Sequence, residues 1–119
     1  MKNIGFGGTF ERKMKFGIII STNEAEVVWN AFRFGVTSLK AGHKVRVFLY
    51  GAGVESEGIK SEFNIKEQIS LFYDNGGKIL ACESCLLMRP KTKSKVCMIG
   101  HQKDLLELVE ESDKILTFG

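Results

Sequence analysis

The stretch that decides the fold is Phe16-Gly-Ile-Ile-Ile-Ser-Thr-Asn-Glu24, near the start of a chain of 119 residues. Its first five residues form a continuous apolar run rich in β-branched side chains, which is typical of a strand buried on both faces of a sheet. Two overlapping capping patterns follow, because Glu24 lies three residues after Ser21 and Glu26 lies three residues after Asn23. The stretch therefore predicts a buried strand that passes directly into a helix.

Strand and helix patterns alternate along the rest of the chain. The predicted strands are Phe16–Ile20, Lys44–Tyr50, Lys78–Ala81, Val96–Ile99 and Lys114–Phe118. The predicted helices are Glu24–Ala41, which closes at Gly42, a segment from Asn64 to Asn75-Gly-Gly77, and Gln102–Glu111, with a Gly-rich acidic loop over 51–62. Such alternation implies right-handed crossovers and a parallel sheet. We expect one α/β domain over 14–119, a small flavodoxin-like three-layer sandwich with a mostly parallel five-stranded sheet and helices on both faces.

The apolar positions of the two later helices predict their buried faces. In the helix after Asn64 these positions are Ile65, Ile69, Phe72 and Tyr73. In the last helix they are Leu105, Leu106, Leu108 and Val109. Both sets follow the three- and four-residue steps of an amphipathic helix, so we expect these side chains to face the sheet.

Composition excludes several classes of protein. The chain is 44% hydrophobic and 26% charged, close to the globular average, which argues against disorder and low complexity. No apolar stretch approaches the roughly 20 residues that a membrane helix needs. Three cysteines are too few, and odd in number, for a secreted disulfide scaffold. We therefore expect a reduced, soluble, cytoplasmic domain with no membrane partner.

The first thirteen residues, 1–13, differ from the rest of the chain in being Gly-rich and without periodicity. They lack the apolar core of a secretory signal, and we expect a loosely ordered N-terminal extension. The alternative is an ordered arm that packs on a neighbouring subunit. This segment holds three of the 17 cations and one of the 14 anions, so the formal net charge of +3 becomes +1 over 14–119. Such a charge gives no argument for nucleic acid.

The candidate site follows the third predicted strand, at the sheet edge where ligands gather in open parallel sheets. The segment reads Ala81-Cys-Glu-Ser-Cys-Leu-Leu-Met-Arg-Pro90. Cys82 leaves the strand where a helix begins, so free backbone N–H groups favour its thiolate, the nucleophilic form. Cys85 lies on the same side of a helical turn, close enough to approach disulfide distance. Arg89 can add positive potential two turns further on.

Other candidates carry less chemistry. Cys97 lies inside a predicted strand and is expected to pack as core, a role that also stands as the alternative for Cys82 and Cys85. His101 follows the fourth strand and is expected to cap a helix or face solvent, and His43 is expected to face solvent. Neither histidine has ligand-like spacing to the cysteines, so we expect no metal. The glycines of 51–53 lack a third glycine and a directly following helix, so we expect no cofactor.

The order strand, then Ala-Cys-x-x-Cys-Leu-x-x-Arg over 81–89, resembles the DsrE/DsrF-like sulfur-relay family. The apolar run of 16–20, the Gly-His-Lys-Val link of 42–45 and the closing segment 114–118 are also similar, so the resemblance covers essentially 14–119. It implies a cytoplasmic protein that accepts sulfane sulfur as a persulfide on Cys82 and passes it to a partner. It also implies that Cys85 is a second thiol and Arg89 the basic residue of the site. Sulfur donor and acceptor proteins, and a homo-oligomer, follow from the same resemblance.

Two positions depart from the family pattern, in which small residues are common. Glu83 follows the first cysteine, and Pro90 follows the arginine. Glu83 would oppose the thiolate if its carboxylate turned toward Cys82.

A basic run, Arg89-Pro-Lys-Thr-Lys-Ser-Lys95, follows the thiols. The usual explanation of such a run is an exposed, solvated loop. The functional alternative is a docking patch for an acidic partner or an anionic sulfur donor. Because no aromatic residues interleave with the lysines, we expect no nucleic-acid partner.

Two other functions fit the same residues. One is dithiol–disulfide exchange by Cys82 and Cys85, and the other is a non-catalytic interaction subunit with structural cysteines. A persulfide protein of this kind can act either as a sulfurtransferase with multiple turnovers or as a stoichiometric sulfur carrier.

Overall fold

A computed structural model describes residues 12–119. In this part of the chain the strands are β1 (Lys15–Ile20), β2 (Lys44–Leu49), β3 (Lys78–Cys82), β4 (Cys97–Gly100) and β5 (Lys114–Phe118). The helices are α1 (Ala25–Lys40), α2 (Ile65–Asp74), α3 (Glu83–Leu87) and α4 (Gln102–Glu111), and a 3-10 helix covers Gly51–Gly58. The predicted extension, 1–13, lies outside the described residues except for Arg12 and Lys13.

The strands form one all-parallel sheet in the order β4-β3-β2-β1-β5. Helices α1 and α2 pack together on one face, over a core that includes Ile18, Val47 and Ile79. On the other face, Leu108 of α4 packs with Phe48 and Cys82. The predicted α/β class, with a five-stranded sheet between helices, is confirmed. The carboxyl ends of all strands meet at one edge of the sheet, which is where the candidate site lies.

The core under α1 and α2 is built around two phenylalanines. Phe32 and Phe72 are fully buried and meet edge to face, with ring centroids 5.6 Å apart. Two glycines make room for Phe72, because a Cβ at Gly35 or Gly77 would lie 2.7 or 2.3 Å from its ring. Burying each phenylalanine stabilises the fold by roughly 1.5–3 kcal/mol, which anchors both helices to the sheet.

Helix α1 begins differently from the prediction. Its cap is Glu24, whose carboxylate accepts hydrogen bonds from the backbone N–H groups of Glu26 and Val27 at 3.4 and 3.0 Å. Ser21 is instead held to the end of β5, since its N–H donates to the Phe118 carbonyl at 2.9 Å. The predicted end of the helix is confirmed, because Gly42 has a φ of +97°, which favours glycine.

The segment predicted as a loop over 51–62 contains the 3-10 helix Gly51–Gly58. Ser56 is fully buried there, and its hydroxyl donates to the Gly53 carbonyl at 2.6 Å. Gly53 packs directly against the end of β1, where an added Cβ would lie 2.0 Å from the Ile20 carbonyl oxygen. Gly53 is therefore needed for close packing against β1 and does not indicate an irregular loop.

Three side chains predicted to face the sheet are exposed: Tyr73 by 47%, Leu106 by 57% and Val109 by 41%. Each follows directly on a residue of the predicted face. Neighbours along a helix point about 100° apart, so a narrow contact with the sheet buries Phe72 or Leu108 and leaves the next residue outside.

The solvent-facing role predicted for His43 is wrong. Its side chain is half-buried, and its Nδ1 accepts a hydrogen bond from the Met14 N–H at 3.0 Å. The ring lies 4.8 Å from that of Phe16. Because β1 and β2 run side by side, the turn before β2 brings His43 against the start of β1.

No helix within residues 12–119 is long and apolar enough to cross a membrane.

Candidate functional site

Cys82 is the last residue of β3 and the residue that caps α3. Its neighbour on β4 in the sheet is Gly100. The side chain lies on the α4 face of the sheet, packed with Phe48 and Leu108, and is 2% exposed. The structure thus places Cys82 at the predicted strand end and helix start, within a largely apolar surround.

Cys85 lies in the first turn of α3, directly beside Cys82. Cys85 packs with the cluster formed by Phe48, Cys82 and Leu108. Hydrogen-bond donors of Cys85 and Ser84 act on the Cys82 thiol and lower its pKa. Both cysteines are free, and Cys85 is half-buried whereas Cys82 is buried. The chain therefore folds its two thiols into one adjacent pair.

Opposing effects set the pKa of Cys82. Burial raises this pKa, since it disfavours a charged sulfur. The hydrogen bonds from Cys85 and then from Ser84 favour the charged form and outweigh burial, so the pKa lies below the ordinary value of 9.0. The geometry thus favours a thiolate on Cys82, the nucleophilic form of cysteine.

The pKa of Cys85 lies above the ordinary value of 9.0. Burial raises it most, and the hydrogen bond that its thiol gives to Cys82 and the charge of Cys82 raise it further. The Gly51 N–H, which donates to the Cys85 sulfur at 3.2 Å, and the charge of Arg89 lower it in part. Of the two thiols, Cys82 is therefore the one that loses its proton first.

Arg89 is bound to Glu55 and to the backbone of Cys85. Its Nε lies 2.6 Å from Glu55 Oε2, and its Nη1 donates to the Cys85 carbonyl at 2.8 Å. Glu55 also accepts a hydrogen bond from Asn23 at 3.1 Å. The positive charge therefore acts on Cys85 and is shared with Glu55. Arg89 joins the predicted site as a link between α3 and the 3-10 helix.

The pKa of Glu55 lies below its ordinary value of 4.5, because Arg89 and then Asn23 bind its carboxylate. A carboxyl group whose pKa is lowered by folding stabilises the fold at pH values above its ordinary pKa. That contribution is lost as the pH falls through the pKa of the folded state. We expect Glu55→Gln to lower the melting temperature slightly at neutral pH, since the pair is partly exposed. The difference from wild type should shrink as the pH falls below 4.5. Thermal melts in a pH series test this, with the exposed Glu62→Gln as control, and a constant difference down to about pH 3 would contradict it.

Glu83 does not turn toward Cys82. Its Oε1 lies 3.0 Å from Nε2 of His101, and Nδ1 of His101 lies 3.5 Å from Asp104. His101 precedes α4 as its capping residue, and its backbone N–H donates to Asp104 at 2.8 Å. The helix-capping role expected of His101 is confirmed, and its contact holds the Glu83 carboxylate at the half-exposed rim of the site.

Cys97 lies apart from this pair, on the α1–α2 face of the sheet. It lines a groove of about 920 Å³ at the β4 edge, together with Glu57 and part of the basic run. Burial and the charge of Glu57 raise the pKa of Cys97 to about 12. This raised pKa makes Cys97 a weak nucleophile.

Lys91, Lys93 and Lys95 of the basic run are exposed, as the solvated-loop interpretation predicts.

Four further residues belong to the site, namely Asn23, Gly51, Glu55 and Ser84. The sequence gives only a weak signal for two of them. Asn23 and Gly51 follow strands that end at the same sheet edge as β3. Within residues 12–119, no three His, Cys, Asp or Glu side chains are grouped so that they could hold a metal ion.

Comparisons with known proteins bear on the family and the fold of the chain. The family model of the DsrE/DsrF-like family matches residues 14–118. An uncharacterized protein of Methanocaldococcus jannaschii is 30% identical over 114 residues, which cover 88% of this chain and 100% of the relative. Among solved structures, a conserved protein of unknown function from Bacteroides thetaiotaomicron is similar with a TM-score of 0.68 at 20% identity, over 87% of this chain and 93% of that one. The last similarity is one of fold.

Proposed function

Because the chain belongs to the DsrE/DsrF-like family, we propose that it is a sulfur carrier or sulfurtransferase that accepts sulfane sulfur as a persulfide on Cys82 and passes it to a partner protein. The observation that carries this proposal is the place of Cys82 at the end of β3 and the start of α3, packed beside the free thiol of Cys85. Cys85 and Ser84 lower the pKa of Cys82 despite burial, which favours its thiolate. A sulfur atom so placed is equipped to attack a sulfane sulfur donor.

In the loading step the Cys82 thiolate attacks the outer sulfur of a donor persulfide, R–S–SH. A new sulfur–sulfur bond forms, the donor's sulfur–sulfur bond breaks, and the donor leaves as the thiolate R–S⁻. In the transfer step an acceptor thiolate attacks the outer sulfur of the Cys82 persulfide, and Cys82 leaves as a thiolate. The N–H groups that hold Cys82 stabilise it each time it becomes charged.

The surface around the pair supports partner proteins as donor and acceptor. Leu87 and Met88 at the end of α3 are 73% and 83% exposed, and Met98 and Ile99 of β4 are each 53% exposed. Large apolar side chains exposed to this extent favour contact with another protein. The lysines of 91–95 favour an acidic partner. We propose that the chain works in the cytoplasm as a homo-oligomer, without nucleic acid or membrane.

Sulfur uptake tests the proposal. Wild type is incubated with sodium polysulfide, desalted and measured by intact-protein mass spectrometry. It should carry added sulfur on Cys82, either as the persulfide or as an oxidised form of that persulfide. Cys82→Ser should gain no sulfur, and Cys97→Ser should behave as wild type, because its thiol is held protonated. If Cys82→Ser takes up sulfur as readily as wild type while it remains folded by circular dichroism, Cys82 is not the acceptor.

A second candidate function is dithiol–disulfide exchange, which the packing of the two free thiols in one cluster favours. Its distinguishing result is a reversible Cys82–Cys85 disulfide with a measurable reduction potential, in a protein that forms no persulfide. Titration in dithiothreitol redox buffers, read by thiol alkylation and mass, provides the measurement.

A further inference from the structure

The sulfur that Cys82 carries is shielded from other folded proteins until the side chains around it move. Cys82 is 2% exposed, and it packs with Phe48 and with Leu108 of α4. A small sulfur donor enters such a site more readily than a cysteine on the surface of another protein does. The thiol already in place is that of Cys85, which packs in the same cluster of side chains.

Cys85 has its own support for a negative charge. The Gly51 N–H points at its sulfur at 3.2 Å, from the start of the 3-10 helix. The Arg89 guanidinium lies close by, at 2.8 Å from the carbonyl of the same residue. Neither contact is needed if the Cys85 thiol stays protonated and serves only as a hydrogen-bond donor to Cys82. Both would stabilise a Cys85 sulfur that gains charge during a reaction.

We propose that Cys85 resolves the persulfide formed on Cys82 and releases the carried sulfur as hydrogen sulfide. This inference rests on the first half of the proposed function, the persulfide on Cys82. It adds an activity in which the two thiols reduce the carried sulfur and release it as sulfide, instead of passing it to a partner protein. The chain then reduces sulfane sulfur.

The step balances with the groups at hand. The Cys85 sulfur attacks the inner sulfur of the persulfide anion Cys82–S–S⁻, and the bond between inner and outer sulfur breaks. The proton of Cys85 passes to the outer sulfur, which leaves as HS⁻, and a Cys82–Cys85 disulfide forms. Two thiols are thereby oxidised and the sulfane sulfur is reduced to sulfide. An external thiol reductant then supplies two electrons to restore the pair.

Proximity favours this route over transfer. An attacking group held beside its target reacts as though it were present at a very high concentration. The sequence spacing of the two cysteines and their shared turn at the start of α3 suit a disulfide. Arg89 and Gly51 would act as positioning residues, since they contact Cys85 and not the sulfur being transferred.

The experiment follows mass and sulfide together. Wild type, Cys85→Ser and Cys97→Ser are loaded with sodium polysulfide without reductant, and sulfide is trapped with monobromobimane. Wild type and Cys97→Ser should lose the mass of two hydrogen atoms, whereas Cys85→Ser should retain the mass of one added sulfur atom. Sulfide release above the polysulfide background should fall about tenfold or more in Cys85→Ser, because an intramolecular nucleophile is lost.

The outcomes separate the two proposals. A wild type that keeps its added sulfur and releases no more sulfide than Cys85→Ser overturns the resolving role of Cys85 and leaves the carrier function standing. If wild type and Cys97→Ser, both folded by circular dichroism, neither gain sulfur nor lose the mass of two hydrogen atoms, the persulfide on Cys82 fails, and both proposals fall. Cys85→Ala provides a second variant, since it removes the thiol without introducing a hydroxyl group.

Discussion

Iodoacetamide should distinguish the three cysteines sharply when its rate is followed against pH. We expect the rate at Cys82 to rise with a midpoint below 9.0, and the rate at Cys85 with a midpoint above 9.0. Cys97, with a pKa of about 12, should show no midpoint in the accessible range. At pH 8 a smaller fraction of Cys97 than of an ordinary thiol is thiolate, although the Cys97 thiolate is the stronger nucleophile. Together these effects should make alkylation of Cys97 roughly 50-fold slower than that of an ordinary thiol.

Hydrogen bonds lower the pKa of Cys82, whereas burial, and then the hydrogen bond given to Cys82, raises the pKa of Cys85. A thiol that receives hydrogen bonds loses its proton more readily, and a thiol that donates one to a charged neighbour keeps its proton. Cys85→Ala removes both the thiol donor and the competing proton, so it should move the midpoint of Cys82 upward. The measurement is peptide-level mass spectrometry after timed alkylation. A common midpoint for Cys82 and Cys85, unchanged by Cys85→Ala, would show that the two thiols are not coupled.

Much of this site follows from local sequence. The apolar run of 78–81 fixes β3, and the change of pattern at Cys82 fixes the helix start, so the position of this cysteine at the edge of a parallel sheet was predictable. The spacing of Cys85 placed it on the same turn. These relations depend on residues within a few positions of one another, where strand and helix periods determine direction.

The partner of Arg89 was not predictable in this way. Glu55 lies 34 positions earlier, in a segment whose composition predicted a loop. Two facts of packing bring them together. Gly53 fits closely against the end of β1, and the 3-10 helix that results carries Glu55 toward α3. Because a periodic pattern holds no information about such a contact, the sequence suggested that Arg89 acts on Cys82, whereas its contacts are with Glu55 and Cys85.

Replacing Gly53 by alanine should therefore disturb both stability and the thiol pair. The added Cβ would lie 2.0 Å from the Ile20 carbonyl oxygen and 2.7 Å from its carbon, which are backbone atoms of β1 and cannot rotate away. The 3-10 helix has to shift, at a cost of about 1–3 kcal/mol. For a domain of this size we expect the melting temperature to fall by roughly 5–15 °C.

The same shift should reach Cys85. Gly51 begins the displaced helix, and its N–H lowers the pKa of Cys85 through the 3.2 Å contact. Weakening that contact should raise the pKa of Cys85 further, so its alkylation midpoint should move upward in Gly53→Ala. The matched control is Gly58→Ala at the other end of the same helix, where an added Cβ meets no atom within 4 Å.

In Gly58→Ala, alanine only restricts the unfolded chain, and stability should stay constant or rise by about 0.4–1 kcal/mol. Thermal melts and the alkylation profile of Cys85, measured on both variants, separate a general effect of alanine from the contact with β1. Equal melting temperatures and equal Cys85 midpoints in the two variants would show that the fit of Gly53 against Ile20 does not position the 3-10 helix. The opposite result would make a glycine with no chemistry of its own a determinant of the reactivity of Cys85.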